Sequence, residues 1–98
     1  MSKKIFLVAM SEVQEDVIVT DAEVTDNLLR AEKMAREFML ERVGDFFGIS
    51  KDNHEDRERV LQRYLSVTNE ERQRLFVERF TFQCEGLSVS ATIQEDEV

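Results

Sequence analysis

Ninety-eight residues suffice for one hydrophobic core and not for two, because so short a chain buries only about 60–65% of the surface its unfolded form exposes. With 42% apolar and 35% charged side chains and a net charge of −8, the composition fits a globular domain better than a disordered tract. The lone Cys84 excludes an internal disulfide. No apolar run approaches the ~20 residues a membrane-crossing helix needs, so a cytoplasmic protein is expected, in the host cytoplasm if the source is viral.

Residues 3–13 (KKIFLVAMSEV) are apolar at both side-chain parities. Ile5, Leu7 and Ala9 lie on one side and Phe6, Val8 and Met10 on the other, which predicts a strand buried on both faces. The apolar stretch is too short for a secretory signal, and none is expected. The β-branched run Val17, Ile18, Val19 predicts a second strand that pairs back as a hairpin. Thr25 is a good helix N-cap, with Val24 and Leu29 at the two positions of a hydrophobic staple. From there Leu28, Ala31, Ala35, Phe38, Met39, Val43 and Phe46 recur at three- and four-residue steps, with Gly44 and Gly48 as C-terminal stops.

Asp52 or Ser50 can cap a second helix holding Val60, Leu61, Tyr64 and Leu65. Thr68 with Glu71 forms a capping box for a third, short helix with Leu75 and Phe76. At Phe80 the period changes to two. Phe80, Phe82 and Cys84, then Leu87, Val89, Ala91 and Ile93, alternate with polar residues around Glu85-Gly86, which predicts a hairpin. The expected architecture is α+β, in the order ββαααββ. Two β-hairpins form an antiparallel or mixed sheet with two to three helices on one face, in a single domain over residues 1–98 whose acidic tail, 95–98, is flexible. An open face or edge of such a sheet would allow a homodimer.

The charge is unevenly distributed. Residues 30–79 hold 11 basic and 11 acidic side chains. The entire negative excess therefore falls in the β segments, where Glu12, Glu15, Asp16, Asp21, Glu23, Asp26, Glu85, Glu95, Asp96 and Glu97 stand with no Lys or Arg among them. If both hairpins share a sheet, these fields add and steer a basic partner. Asp21 and Glu23 would stand about 7 Å apart on one side of a strand. Fixed carboxylates of this kind compete for surfaces that normally bind nucleic acid.

Residues that would carry chemistry are scarce. His54 is the only histidine, so neither a histidine pair for zinc nor a nucleophile triad with a choice of base can be assembled. Asp52, His54 and Asp56 imitate the start of a calcium loop, but Arg57 and Arg63 occupy its glycine and glutamate positions. Cys84 continues the inward parity of Phe80 and Phe82 and is expected to be an inert core thiol. Gly44, Gly48 and Gly86 are scattered, so no phosphate-binding loop is present. No enzyme activity, cofactor or metal is expected.

Arg57, Arg59, Arg63, Arg72, Arg74 and Arg79 are expected to form intrahelical ion pairs and a solvated surface, and the net charge disfavours direct nucleic-acid binding. The expected function is a small acidic binding protein that docks on a basic, nucleic-acid-binding protein as a nucleic-acid mimic, as a viral anti-defence inhibitor would. Its contact residues would be Glu12, Glu15, Asp16, Asp21, Glu23 and Asp26, with Glu95, Asp96 and Glu97 as a second patch. The adjacent rings Phe46 and Phe47 would offer an apolar anchor. The alternative is a self-associating structural or accessory protein whose acids serve only solubility.

Overall fold

The computed structural model describes residues 3–97 except 73 and 74, with the backbone alone for residue 72. The chain runs β1 (Lys4–Gln14), β2 (Val17–Thr25), α1 (Leu28–Phe46), α2 (His54–Tyr64), β3 (Leu65–Arg72), β4 (Leu75–Cys84) and β5 (Leu87–Glu97). The five strands form one sheet in the order β2-β1-β5-β4-β3, and every neighbouring pair is antiparallel. The fold is α+β as expected, but the element order is ββααβββ.

The predicted third helix is the strand β3. Its capping-box residues Thr68 and Glu71 instead pair with Arg79 and Phe76 of β4. Local capping propensity yields here to the ladder, because Leu65 and Val67 alternate at period two and meet Phe82 and Phe80 across the strands. The switch to strand periodicity thus begins near Leu65 and not at Phe80. Of the arginines expected along this stretch, Arg74 and the side chain of Arg72 lie outside the described residues.

Both helices cover the same side of the sheet. Phe6, Val8 and Met10 of β1, Phe82 of β4, and Leu87, Val89, Ala91 and Ile93 of β5 pack there against Ala31, Ala35, Met39 and Val43 of α1 and Leu61 of α2. Each fully buried aliphatic or aromatic side chain in this layer contributes about 1.5–3 kcal/mol. The other side of the sheet has no covering layer. Ile5 and Leu7 are therefore only half-buried and Ala9 is exposed, which corrects the expectation of a strand buried on both faces. Cys84 is likewise half-buried, at the margin of the core.

Helix α1 begins two residues later than the sequence suggests. Asn27 is its N-cap and accepts from the Arg30 amide through Oδ1 (3.2 Å), while the Thr25 hydroxyl accepts from the Asn27 amide. With the cap displaced, Val24 and Leu29 remain exposed and no staple forms. Gly48, at φ +68°, ends the helix in a Schellman motif. The Ile49 amide donates to the Gly44 carbonyl (2.9 Å) and the Gly48 amide to that of Asp45 (3.2 Å).

Gly44 is no stop. It lies inside α1 because a Cβ there would fall 2.5 Å from the Arg57 guanidinium. Arg57, only 6% exposed, donates to the carbonyls of Leu40, Glu41, Ile49 and Ser50 and to the Asp45 carboxylate. It thereby ties the last turns of α1 to the loop that follows the helix and places a cation near the negative end of the helix dipole. This corrects the expectation that Arg57 belongs to a solvated surface.

Candidate functional site

The antiparallel register decides which carboxylates come together. Gln14 pairs with both Val17 and Leu87, and Cys84 also pairs with Leu87, so the β1–β2 and β4–β5 turns sit side by side at one end of the sheet. Glu15 and Asp16 form the first turn and Glu85 and Gly86 the second. At ~4.8 Å per strand spacing the turn centres are about 10 Å apart.

Glu15 and Glu85 both adopt left-handed backbone conformations, at φ 52° and 49°. Glycine or asparagine fills such positions at lower cost, by about 1 kcal/mol. Two glutamates therefore project from strained positions on neighbouring turns, with Asp16 on the outer, β2 side of Glu15, and all three are exposed.

Farther along the edge strand β2, Asp21 and Glu23 lie on the side of the sheet that bears the helices, opposite Met10 and Val8 of β1, and both remain exposed. The Asp21 carboxylate accepts from the Ala22 amide (2.8 Å). Among the described residues none of Glu15, Asp16, Asp21, Glu23 and Glu85 is in an ion pair with a basic side chain.

Of the other expected contact residues, Glu12 and Glu95 are turned to internal use. Glu12 faces the helices and pairs with Arg42 of α1 at 3.3 Å, its side chain only 12% exposed. Asp26 lies 3.8 Å from Lys3. Glu95 is buried; it accepts from the Lys4 ammonium (2.9 Å) and from the Phe76 amide (3.1 Å). The lysine bond, then the amide, hold its carboxyl below the ordinary glutamate value, and the same bond raises Lys4.

Asp96 accepts from the Glu97 amide, and Glu97 stands opposite Lys4. The stretch through Glu97 is therefore strand β5 and not a flexible tail, because pairing with β1 satisfies its backbone; Val98 lies outside the described residues. The expected second patch is at the opposite end of the sheet from the turns, and of its three carboxylates Glu95 is in an ion pair, with Lys4.

Phe46 and Phe47 meet edge to face at 5.0 Å, and Phe47 meets Phe82 in the same way at 6.5 Å. Both rings are half-buried against the core, so neither stands out as an apolar anchor. Of the remaining arginines, Arg59 pairs with Asp56 and Arg79 with Glu70. His54 is exposed at the first turn of α2.

Two features were not anticipated from sequence. In sequence Glu85 adds to the negative charge without standing out as a contact residue, since its nearness to Glu15 depends on the strand order. Glu78 projects from β4 into the helix-covered layer beside Glu32 of α1. Burial, then the Glu32 carboxylate, push its carboxyl up to about 7. A carboxyl so perturbed is a marker of catalytic sites. The groove of about 250 Å³ between α1, α2, β3 and β4 is lined by Lys33, Arg36, Leu61 and Phe80 among others, but not by Glu78. No helix among the described residues is long and apolar enough to cross a membrane. No family model, no curated protein and no solved structure matches the chain.

Proposed function

We propose that this chain is a non-enzymatic cytoplasmic binding protein that presents the tips of its two hairpins to a basic, nucleic-acid-binding protein surface. The reading is carried by one observation: Glu15, Asp16 and Glu85 project together from adjacent turns, two of them from backbone conformations that disfavour glutamate. Strain of this kind persists where the surrounding fold imposes it and is concentrated at functional positions. Asp21 and Glu23 extend the array along β2 at about 7 Å spacing. Rigid strands hold these charges, so little ordering entropy is lost on docking, and a fixed array can stand in for a run of phosphates. The protein would thereby block access of nucleic acid to its partner.

The test is capture from a lysate on immobilised protein, with elution by duplex DNA. Basic proteins retained at low salt and displaced by DNA are expected for the native chain. They should be lost in the Glu15→Lys/Asp16→Lys/Glu85→Lys variant, with circular dichroism unchanged. Equal capture by that variant would refute the assignment.

A further inference from the structure

We propose that the uncovered side of the sheet is a homodimer interface, in which the β2-β1-β5 surface of one copy packs on the same surface of a second. This does not depend on the hairpin-tip reading. It places the contact on the open face, by stacking of faces and not by hydrogen-bonded pairing of strand edges or through Phe46 and Phe47.

The open face has a definite relief. Val13 pairs with Ile18 and Leu7 with Val24, forming two apolar ridges across β1 and β2. Val13, Ile18 and Val24 are 38%, 68% and 60% exposed. The ridges are six residues apart along β1, about 20 Å. Between them lies a hollow of about 570 Å³ whose open-side floor is Ala9, Ser11, Thr20, Ala22, Ser90 and Thr92. The Ser11 and Ser90 hydroxyls already bond each other at 2.7 Å, which lowers the cost of covering them. A ridge lies about 10 Å from the centre of the hollow. A twofold axis between offset sheets therefore seats a ridge of each copy in the hollow of the other, at the ~10 Å separation usual for stacked sheets.

Charge selects the occupant. Every open-side position of β1 and β2, and of β5 as far as Gln94, is uncharged in a chain that is 35% charged. Two copies at −8 each repel wherever carboxylates project. This face lets them meet without opposing like charges, and it offers a differently charged partner nothing to recognise. With the ~10 Å offset the three strands overlap over about 24 Å, a footprint of roughly 350 Å² per copy and about 700 Å² in all, which is the size of a weak, transient contact and below the ~1,000 Å² of a permanent one. A reversible, concentration-dependent dimer is therefore expected, and salt should strengthen it by screening the repulsion between copies.

Sedimentation equilibrium of the full chain from low to high micromolar concentration, at low and high salt, tests this. The expected result is a monomer–dimer equilibrium whose dimer fraction rises with salt, with dissociation constants at least about tenfold higher for Ala9→Lys and Thr92→Lys. Either variant alone serves if the other fails to fold by circular dichroism. A wild-type monomer throughout, or a dimer unaffected in a folded variant, would overturn the proposal; the latter would place the contact on a sheet edge or helix surface. Because hairpin-tip capture weakens with salt while this dimer strengthens, failure of one reading is distinguishable from failure of the other.

Discussion

The acidic residues at the two ends of the sheet differ in what they do, although in sequence they look alike. At the end where the chain enters β1, Glu95 and Asp26 are matched to Lys4 and Lys3, and Glu95 also takes the Phe76 amide. At the turn end, Glu15, Asp16 and Glu85 have no cation paired with them among the described residues, and two of them hold strained backbone. At the first end Glu95 is built into the fold, whereas the three carboxylates of the turns are held out into solvent at some cost. Net charge alone conceals this difference, since both sets count equally toward −8.

Substitutions that disturb inward-turned charges should affect stability far more than changes to the outward ones. The largest effect is expected for Arg57→Met, which removes the guanidinium donations to the carbonyls of Leu40, Glu41, Ile49 and Ser50 and to the Asp45 carboxylate and empties the space packed against Gly44. Urea denaturation should show a loss of about 2–4 kcal/mol. Next is the pH response of Glu78. Its folded value, about 7, lies above the ordinary 4.5, so the folded state holds this proton more tightly than the unfolded chain does. That contribution is complete below about pH 4.5 and is lost as pH rises through 7. Stability should fall by roughly 1–3 kcal/mol over this window in the native chain, and the fall should flatten in Glu78→Gln. No change in slope would show that the Glu78–Glu32 contact does not hold the proton.

A smaller loss, about 1–2 kcal/mol, is expected for Gly44→Ala. Alanine ordinarily gains about 1 kcal/mol over glycine inside a helix, so the sign of this result isolates the contact with Arg57. Glu95 acts in the opposite pH direction to Glu78. Its value is depressed, so its contribution is present above the ordinary carboxylate range and lost as pH falls through the folded value. Glu95→Gln should lower the thermal midpoint at neutral pH and weaken the acid-side transition. Reversal of Asp21 or Glu23 should change stability least, within about 0.5 kcal/mol, because neither carboxylate is in an ion pair with a described cation.

The sequence revealed those parts of the fold that local periodicity determines. The stripe from Ala31 to Val43, the strands around Phe6, Val8 and Met10, and the hairpin at Glu85-Gly86 were all legible because period alone distinguishes helix from strand there. The segment from Thr68 to Phe76 misled, since Thr68 and Glu71 satisfy a helix-start rule while the pairing partner that overrides it lies a turn away in β4. Acids were legible as a group but not as individuals. Whether Glu12 meets Arg42, or Glu15 neighbours Glu85, is decided by β5 inserting between β1 and β4, a tertiary choice that no local pattern records.

The claim that the hairpin tips form a docking surface, beyond supplying negative charge, is tested most directly by a matched pair of charge reversals. One variant carries Glu15→Lys, Asp16→Lys and Glu85→Lys. The other carries Glu41→Lys, Asp52→Lys and Glu55→Lys, three exposed acids of the helical side. Both have the same net charge, and their DNA-displaceable capture of basic proteins is compared at one salt concentration. Loss of capture in the hairpin variant alone is the expected result, and equal loss in both would show that only net charge matters.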